Sequence, residues 1–247
     1  MIAAFDLTGR TALITGAGSP TGIGLAAARL LGHMGAAVHI TATTDRVHER
    51  VAELRADGID AAGSIADLTV EELVGALPAE IDLLVNNAGM ISVGEDFEDG
   101  SLAGMSLATW RAGLRRNLDT AFLVSRHLVP GMADRGWGRV VNVASVTGPV
   151  MAMRDDPAYA AAKAGLVGLT RALAVDVAGG GVTVNAVAPG WIATGSQTED
   201  EARQGTMTPI GRSAQPGEVA AAIAWLCSPG AAYTTGQCLV VDGGNSI

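Results

Sequence analysis

Short apolar segments alternate with longer segments rich in alanine and leucine along almost the whole chain. A strand with one face in water alternates apolar and polar residues, whereas these segments are apolar throughout. Strands that are apolar on both faces and joined by helices form a parallel sheet with helices packed on each side. The predicted strands are Thr11–Thr15, Ala37–Thr41, Ala61–Ile65, Leu83–Val85, Val140–Val143, Val182–Asn185 and Leu239–Val241, the last at the far edge of the sheet.

The segments between the strands predict helices, which we place at Leu25–Met34, Arg46–Ala56, Ser106–Met132 and Ala158–Ala178. The 247 residues, 49% of them hydrophobic, contain no Pro- or Ser-rich linker, repeat or low-complexity run. We therefore predict an α/β protein with one Rossmann-type domain over residues 1–247. Its sheet is doubly wound, parallel and seven-stranded, with helices on both faces. Ligands of such sheets bind beyond the carboxyl ends of the strands, where the strand order reverses.

The charge and the cysteines exclude several classes of partner. A net charge of -9 at pH 7 argues against binding to nucleic acid or to an anionic membrane. No secretory signal pattern and no membrane-spanning apolar run is present, and neither Cys227 nor Cys238 belongs to a CxxC motif. We therefore expect a cytoplasmic protein. We expect no metal site, because the histidines lack ligand spacing; they are His33, His39, His48 and His127.

A glycine-rich loop, Thr15–Gly24, follows the first strand and opens the first helix. Glycines let the backbone approach a pyrophosphate closely, and the start of the helix stabilises its charge. The loop resembles the TGxxxGIG motif of the short-chain dehydrogenase/reductase family, with two extra residues. The matching residues are Gly16, Gly22, Ile23 and Gly24, and Ser19 is a further candidate for binding the cofactor.

The resemblance continues in order along nearly the whole chain, ending at Asp242–Gly244. It implies that Asp67 and Leu68 contact adenine, and that the segment Asn86–Gly89 supports the sheet and lines the cofactor. It also implies that Ile192 and Thr194, in the PGxxxT segment, hold the nicotinamide carboxamide. The cofactor residues implied by these segments are Asp67, Leu68, Asn87, Ala88, Gly89, Pro189, Gly190, Ile192 and Thr194.

The end of the second strand bears on the choice between NAD and NADP. A carboxylate there would bind a free ribose 2′-hydroxyl and repel a 2′-phosphate, but this position holds Ala42. The hydroxyls of Thr43 and Thr44, followed by Arg46, are suited to bind a phosphate. The sequence therefore predicts that NADP(H) is favoured over NAD(H).

Tyr159 and Lys163 are four residues apart, which places both on one face of a helix. A neighbouring ammonium and an oxidised nicotinamide both favour the phenolate, so we expect the pKa of Tyr159 to be lowered. The resemblance makes Tyr159 the general acid/base and Lys163 a ligand of the nicotinamide ribose, and it places both side chains against the cofactor. It also implies that Ser145, after the fifth strand, holds the substrate carbonyl, and that Asn117 belongs to a proton relay. The interval from Ser145 to Tyr159 is one residue longer than in the family pattern.

The resemblance implies a small-molecule carbonyl or alcohol as the substrate, and the nearest members are 3-oxoacyl-thioester reductases. The acidic charge, and Val175 where reductases of carrier proteins tend to have an arginine, argue against a carrier-protein substrate and leave coenzyme A esters and small ketones open. Alternatives are an NAD-dependent alcohol, sugar or cyclic-alcohol dehydrogenase, an epimerase or dehydratase, and a non-catalytic regulator that binds the cofactor. The segment Met90–Ser106, with acidic residues at 95–99, predicts a solvated loop that borders the site. We expect a homodimer or homotetramer that packs through the small residues of Ala158–Ala178.

Overall fold

The computed structural model describes residues 2–89 and 100–247, and its centre is one parallel sheet. The acidic residues at 95–99 lie outside the described residues. The strand order is β3-β2-β1-β4-β5-β6-β7, which confirms the predicted seven-stranded sheet with its last strand at the edge. The strands are β1 (Thr11–Ile14), β2 (Ala37–Ala42), β3 (Ala61–Ile65), β4 (Leu83–Asn86), β5 (Gly138–Val143), β6 (Val182–Pro189) and β7 (Cys238–Val241).

Helices cover both faces of the sheet, as the prediction requires. Gly35, with φ +100°, lies just after the first helix in the left-handed region that glycine adopts readily. The described helices are α1 (Ile23–His33), α2 (Arg46–Ala56), α3 (Glu71–Gly75), α4 (Leu107–Leu114), α5 (Thr120–Asp134), α6 (Pro157–Val177), α7 (Glu199–Thr206) and α8 (Pro216–Cys227).

The helix predicted over Ser106–Met132 is present from Leu107 to Asp134, but its middle contains a turn of another type that was not predicted. A π-helical turn, Arg115–Asp119, separates α4 from α5. The residues of this turn are compatible with an ordinary helix, so the periodicity of the sequence does not reveal it. Helices α3, α7 and α8 were not predicted, although α7 begins with a capping box in which Thr198 and Glu201 bond each other's backbone N–H.

The core lies on both sides of the sheet. Every residue of β5 and β6 is buried, which explains why most of their side chains are apolar and why apolar and polar residues do not alternate along them. On one side the strands pack against α1 and α8, through side chains such as Leu31 and Ile223. On the other side they pack against α5 and α6, through side chains such as Leu128 and Ala174. Burial of each large aliphatic side chain contributes about 1.5–3 kcal/mol to folding.

The strand order reverses between β1 and β4, and this position determines where a ligand binds. Strand β1 pairs with β2 on one side and with β4 on the other, so the connections leave in opposite directions. A crevice therefore opens beyond the carboxyl ends of these strands. In residues 2–89 and 100–247, no helix has the length and apolar character needed to cross a membrane.

Candidate active site

The glycine loop folds tightly against the end of β4. Gly16 has φ +67°, and a β-carbon there would lie 2.7 Å from the Cα of Ala88. A β-carbon at Gly24 would lie 2.6 Å from Nδ2 of Asn87. That amide nitrogen donates hydrogen bonds to the carbonyl oxygens of Thr15 and Gly16, each over 3.0 Å. Glycine is therefore required at both positions, and the loop backbone stays open to a close approach by a ligand.

The start of α1 and the enlarged part of the loop complete this surface. Gly22 is the N-cap of α1, whose first turn contains no acidic residue, so the helix dipole favours an anion here. A β-carbon at Gly22 would lie 3.1 Å from the Cβ of Ser19, so the enlarged loop folds back onto the helix. A β-carbon at Gly195 would lie 2.8 Å from Oγ1 of Thr21, so the same loop also reaches the segment after Thr194. These features fit the pyrophosphate of a dinucleotide.

At the end of β2, a carboxylate side chain would select NAD. This chain instead has side chains there that donate hydrogen bonds. Ala42 is buried, and a β-carbon at Gly18 would lie 2.8 Å from its Cβ, so the glycine loop packs directly on it. The side chains of Thr43, Thr44 and Arg46 are exposed just beyond. Nε of Arg46 donates a hydrogen bond to Oγ1 of Thr44 over 3.1 Å. Two hydroxyls and a guanidinium therefore stand together at the end of this strand.

Two further predicted motifs follow β3 and β6. Oδ1 of Asp67 accepts hydrogen bonds from the N–H and the hydroxyl of Thr69, over 2.9 and 2.8 Å, and Leu68 is buried beside it. After β6, a β-carbon at Gly190 would lie 2.7 Å from the Cβ of Asp242. The PGxxxT segment is therefore packed against the carboxyl end of β7.

Ser145, Tyr159 and Lys163 line a single cleft of about 550 Å³. Ser145 follows β5, and its Oγ accepts a hydrogen bond from the N–H of Thr147 over 3.1 Å. Tyr159 and Lys163 lie one turn apart on α6. Nζ of Lys163 donates a hydrogen bond to the carbonyl oxygen of Val143 over 2.9 Å and lies 5.5 Å from the centre of the Tyr159 ring. The structure thus brings together three of the predicted catalytic side chains.

The pKa values of the two titratable side chains move in directions that suit proton transfer. Burial raises the pKa of Tyr159, interaction with the Ser145 hydroxyl opposes this, and the charges of Asp156 and Glu201 raise it further. Our expectation of a lowered Tyr159 pKa is therefore wrong for the protein itself, because burial disfavours the phenolate. Burial also lowers the pKa of Lys163 from 10.5 to about 8. Near neutral pH the phenol is protonated and the amine is close to its own titration.

Lys163 is the only lysine in the chain. The other 15 of the 16 lysines and arginines are arginines. An arginine keeps its proton in proteins, whereas a buried lysine shifts its pKa readily. The chain therefore has one ammonium side chain able to pass a proton near neutral pH, and it lies in the cleft. The lysine count of the sequence is a signal that our motif reasoning did not use.

Asn117 lies in the π-helical turn Arg115–Asp119, and its Nδ2 donates a hydrogen bond to the carbonyl oxygen of Gly113 over 3.1 Å. A β-carbon at Gly89 would lie 2.7 Å from Oδ1 of Asn117 and 3.3 Å from Nζ of Lys163. The two side chains therefore approach the same point beside the cleft. Turns of this type are frequent at functional sites.

The cleft contains only part of the predicted cofactor set. The other predicted cofactor residues lie along the glycine loop, at the ends of β2 and β3, or at Ala88. Among the described residues, no group of three or more His, Cys, Asp or Glu is arranged to hold a metal ion. The predicted cofactor residues that line the cleft, besides Tyr159 and Lys163, are Ile23, Asn87, Gly89, Pro189, Gly190, Ile192 and Thr194.

Several side chains that line the cleft were not among the predicted site residues. Asp156 immediately precedes α6, and Glu201 lies in the first turn of α7. The capping-box spacing from Thr198 to Glu201 was visible in the sequence and marks the start of α7. It does not show that the helix faces the cleft. The remaining unpredicted residues lining the cleft are Val143, Ala144, Val146, Thr147, Met151, Met153, Trp191, Ser196, Gln197 and Asn245.

The chain is similar to known proteins over nearly its whole length. A family model described as "Enoyl-(Acyl carrier protein) reductase" matches residues 16–246. The 3-oxoacyl-[acyl-carrier-protein] reductase FabG of Pseudomonas aeruginosa is 40% identical over 251 residues, which cover 97% of this chain and 98% of that protein. The galactitol 2-dehydrogenase (L-tagatose-forming) of Cereibacter sphaeroides is 37% identical over 256 residues, with coverages of 98% and 97%.

A solved structure shows the same similarity in three dimensions. It is described as an NAD(P)-dependent gluconate 5-dehydrogenase from Beutenbergia cavernae with NADP bound at low occupancy. Its TM-score is 0.89 and its sequence is 40% identical, with 98% of each chain covered. The fold is therefore shared with proteins that carry reductase and dehydrogenase names.

Proposed function

Since the chain belongs to the short-chain dehydrogenase/reductase family, we propose that it interconverts a carbonyl and a secondary alcohol with Tyr159 as the general acid/base. The relatives are named reductases and dehydrogenases, and this chain is an oxidoreductase of the same family. The observation that carries the assignment to Tyr159 is the shared cleft of Ser145, Tyr159 and Lys163, with the lysine buried and bonded to Val143. A nicotinamide cofactor supplies the hydride when it is bound.

The residues of the cleft bind the carbonyl oxygen and transfer the proton. The hydroxyls of Ser145 and Tyr159 hold the carbonyl oxygen, and Tyr159 donates its proton as negative charge develops there. The raised pKa of Tyr159 keeps the phenol protonated near neutral pH, which suits the direction of reduction. Lys163, with a pKa of about 8, stabilises the phenolate that forms and returns a proton to it. Asn117 and Lys163 both approach Gly89. Asn117 passes protons between solvent and Lys163, which supplies Tyr159.

NADP(H) is the cofactor that the end of β2 favours. Ala42 leaves this position without a carboxylate, and Thr43, Thr44 and Arg46 supply hydrogen-bond donors for a 2′-phosphate. The NADP in the Beutenbergia cavernae structure supports the same choice. We expect NADPH to bind more tightly than NADH. We also expect Arg46→Ala to weaken NADPH binding about tenfold and leave NADH binding unchanged, which fluorescence titration measures. Tighter binding of NADH by the wild-type protein would overturn the preference.

The first substrate class to assay is a 3-oxoacyl thioester of coenzyme A, because a 3-oxoacyl reductase is among the relatives at 40% identity. A carrier-protein substrate is less suited, because the chain is acidic and Val175 is exposed on α6. Oxidation of NADPH at 340 nm with acetoacetyl-CoA tests this, and Ser145→Ala is expected to lower kcat/KM by at least tenfold. Turnover of neutral ketones without turnover of the thioester would favour the alternative, a dehydrogenase of sugars or cyclic alcohols.

We also propose that the chain acts as one domain over residues 1–247, in the cytoplasm, and as a homodimer or homotetramer. Exposed apolar side chains on neighbouring helices support assembly, namely Leu107 on α4, Phe122 on α5 and Val175 on α6. The two cysteines are free, which suits a reducing compartment. Light scattering tests the assembly, and a monomeric mass would contradict it.

A further inference from the structure

Asp156 holds a carboxyl group that the fold does not use. It is the N-cap residue of α6, where an aspartate usually accepts a hydrogen bond from an N–H of the first turn. Here its backbone has φ -140° and ψ 36°, and the side chain makes no capping bond. Within residues 2–89 and 100–247 the carboxyl has no hydrogen-bond or ion-pair partner, and it lines the cleft beside Tyr159.

The turn before Asp156 is held in an unusual conformation. Asp155 has φ +57° and is the one residue other than glycine with a positive φ in the described parts of the chain. Such a conformation costs on the order of 1 kcal/mol and persists where the surroundings hold it in place. Here a β-carbon at Gly100 would overlap the carbonyl oxygen of Asp155, so the turn that contains Asp155 is packed against the backbone at Gly100. The placement of Asp156 at the cleft is therefore fixed by packing.

The charges around the reacting position are mainly negative. Glu201 lines the same cleft from α7, and its carboxylate also accepts a hydrogen bond from the Thr198 N–H over 2.7 Å. Asp156 and Glu201 both lie close enough to Tyr159 for their charges to act on the phenol. Of the described residues that line the cleft, Lys163 is the only cation, and it is bonded to Val143. A substrate carboxylate would therefore meet two like charges and no available cation.

We propose that Asp156 selects the substrate by accepting a hydrogen bond from a hydroxyl near the reacting carbonyl, and that it excludes, with Glu201, substrates that carry a carboxylate. This inference favours the sugar-dehydrogenase alternative over the 3-oxoacyl thioester: the substrate is then a neutral hydroxyketone in reduction and the corresponding diol or polyol in oxidation. This rests on the proposed function, because it takes the carbonyl oxygen to lie at Ser145 and Tyr159. A hydroxyl one or two carbons away is the group that such a substrate brings to the unpartnered carboxyl.

Two matched pairs of substrates test the two parts of this proposal. Methyl acetoacetate and acetoacetate differ in the charge near the carbonyl. In 3-pentanone a methyl group of similar size replaces the hydroxyl of 1-hydroxy-2-butanone. Burial raises the pKa of Asp156 to about 6, so assays at pH 8 keep the carboxyl ionised. With NADPH, we expect the wild-type kcat/KM to favour the neutral ester at least 100-fold and the hydroxyketone at least tenfold.

Variants at two neighbouring positions assign the effect to one side chain. We expect Asp156→Asn to lower the ratio of kcat/KM for the ester over the acid at least tenfold. Asp156→Ala should lower the hydroxyketone preference at least tenfold. The control is Asp155→Asn, because asparagine tolerates the left-handed conformation and the side chain is exposed. It should leave both ratios unchanged.

The failures of the two proposals are distinguishable. Equal use of acid and ester by the wild-type protein, or ratios that Asp156→Asn and Asp156→Ala leave unchanged, would overturn the role of Asp156 while the proposed function stands. Absence of turnover with every carbonyl, with NADPH and with NADH, would overturn the proposed function and this inference with it.

Discussion

Replacing Lys163 with methionine should make the protein more stable and inactive at the same time. Methionine has nearly the shape of lysine without the ammonium group, so the substitution removes a charge that the fold buries completely. The pKa of Lys163 falls from 10.5 to about 8 on burial, which means that the folded state disfavours the charged form. The substitution also removes the hydrogen bond to the carbonyl oxygen of Val143.

The size of the effect follows from linkage between protonation and folding. Below pH 8 the amine is protonated in both states, so the full cost of the shift, about 3 kcal/mol, is present. Between pH 8 and 10.5 the unfolded state binds more protons than the folded state, so this cost fades as the pH rises. It is about 1.4 kcal/mol at pH 9.5. Loss of the Val143 hydrogen bond costs about 1–2 kcal/mol at either pH.

Urea denaturation of both proteins at pH 7 and pH 9.5 measures the difference directly. We expect Lys163→Met to be about 1–2 kcal/mol more stable than wild type at pH 7 and about equal to it at pH 9.5. The change of about 2 kcal/mol between the two pH values is the quantity to test, because a constant packing effect cancels in it. A difference in stability that does not vary with pH would refute the assignment of a buried, titrating amine.

Lys163→Arg is the matched control for this experiment. Arginine keeps a positive charge at this position but does not lose its proton in the accessible pH range. Its stability relative to Lys163→Met should therefore be lower and should not change between pH 7 and pH 9.5. Both variants should lose most of the reductase activity, because neither can return a proton to Tyr159.

Two further predictions concern single groups. Gly24→Ala should weaken NADPH binding at least tenfold in a fluorescence titration, because its β-carbon would overlap the Asn87 amide that braces the glycine loop; Gly75→Ala, whose β-carbon meets nothing within 4 Å, should leave it unchanged. Because the chain has one lysine, protein labelled with ¹³C at the lysine Cε should give a single side-chain signal that titrates near pH 8. A midpoint near 10.5 would show that Lys163 is exposed to solvent.

The sheet was predictable because its strands are buried on both faces, which leaves continuous apolar runs that few other structures tolerate. The glycine loop and the residues Ser145, Tyr159 and Lys163 were picked out because they resemble, in the same order, the motifs of the short-chain dehydrogenase/reductase family. The interruption of the predicted helix at Arg115–Asp119 was not predictable. Its sequence suits an ordinary helix, so the π-helical turn depends on the packing of the whole fold rather than on local propensity.

The electrostatics of the cleft were hidden from the sequence for a similar reason. The spacing of Tyr159 and Lys163 is local, so it indicates an ammonium near the phenol. The burial of the phenol depends on the packing of the whole fold, and the approach of Glu201 depends on α7, which lies far along the chain. These two effects reverse the expected direction of the Tyr159 pKa shift. Asp156 is close in sequence, but nothing local shows that its carboxyl leaves the helix cap for the cleft.

The general-acid role of Tyr159 is tested most directly by following bound NADPH at 340 nm after it is mixed with a carbonyl substrate. The chain has two tyrosines, and the other, Tyr233, is fully exposed, so Tyr233→Phe is the matched control for Tyr159→Phe. We expect Tyr159→Phe to slow consumption of NADPH at least about 100-fold with unchanged NADPH affinity, and Tyr233→Phe to behave as wild type. Turnover by Tyr159→Phe within a few-fold of wild type would contradict the role of Tyr159 as the proton donor.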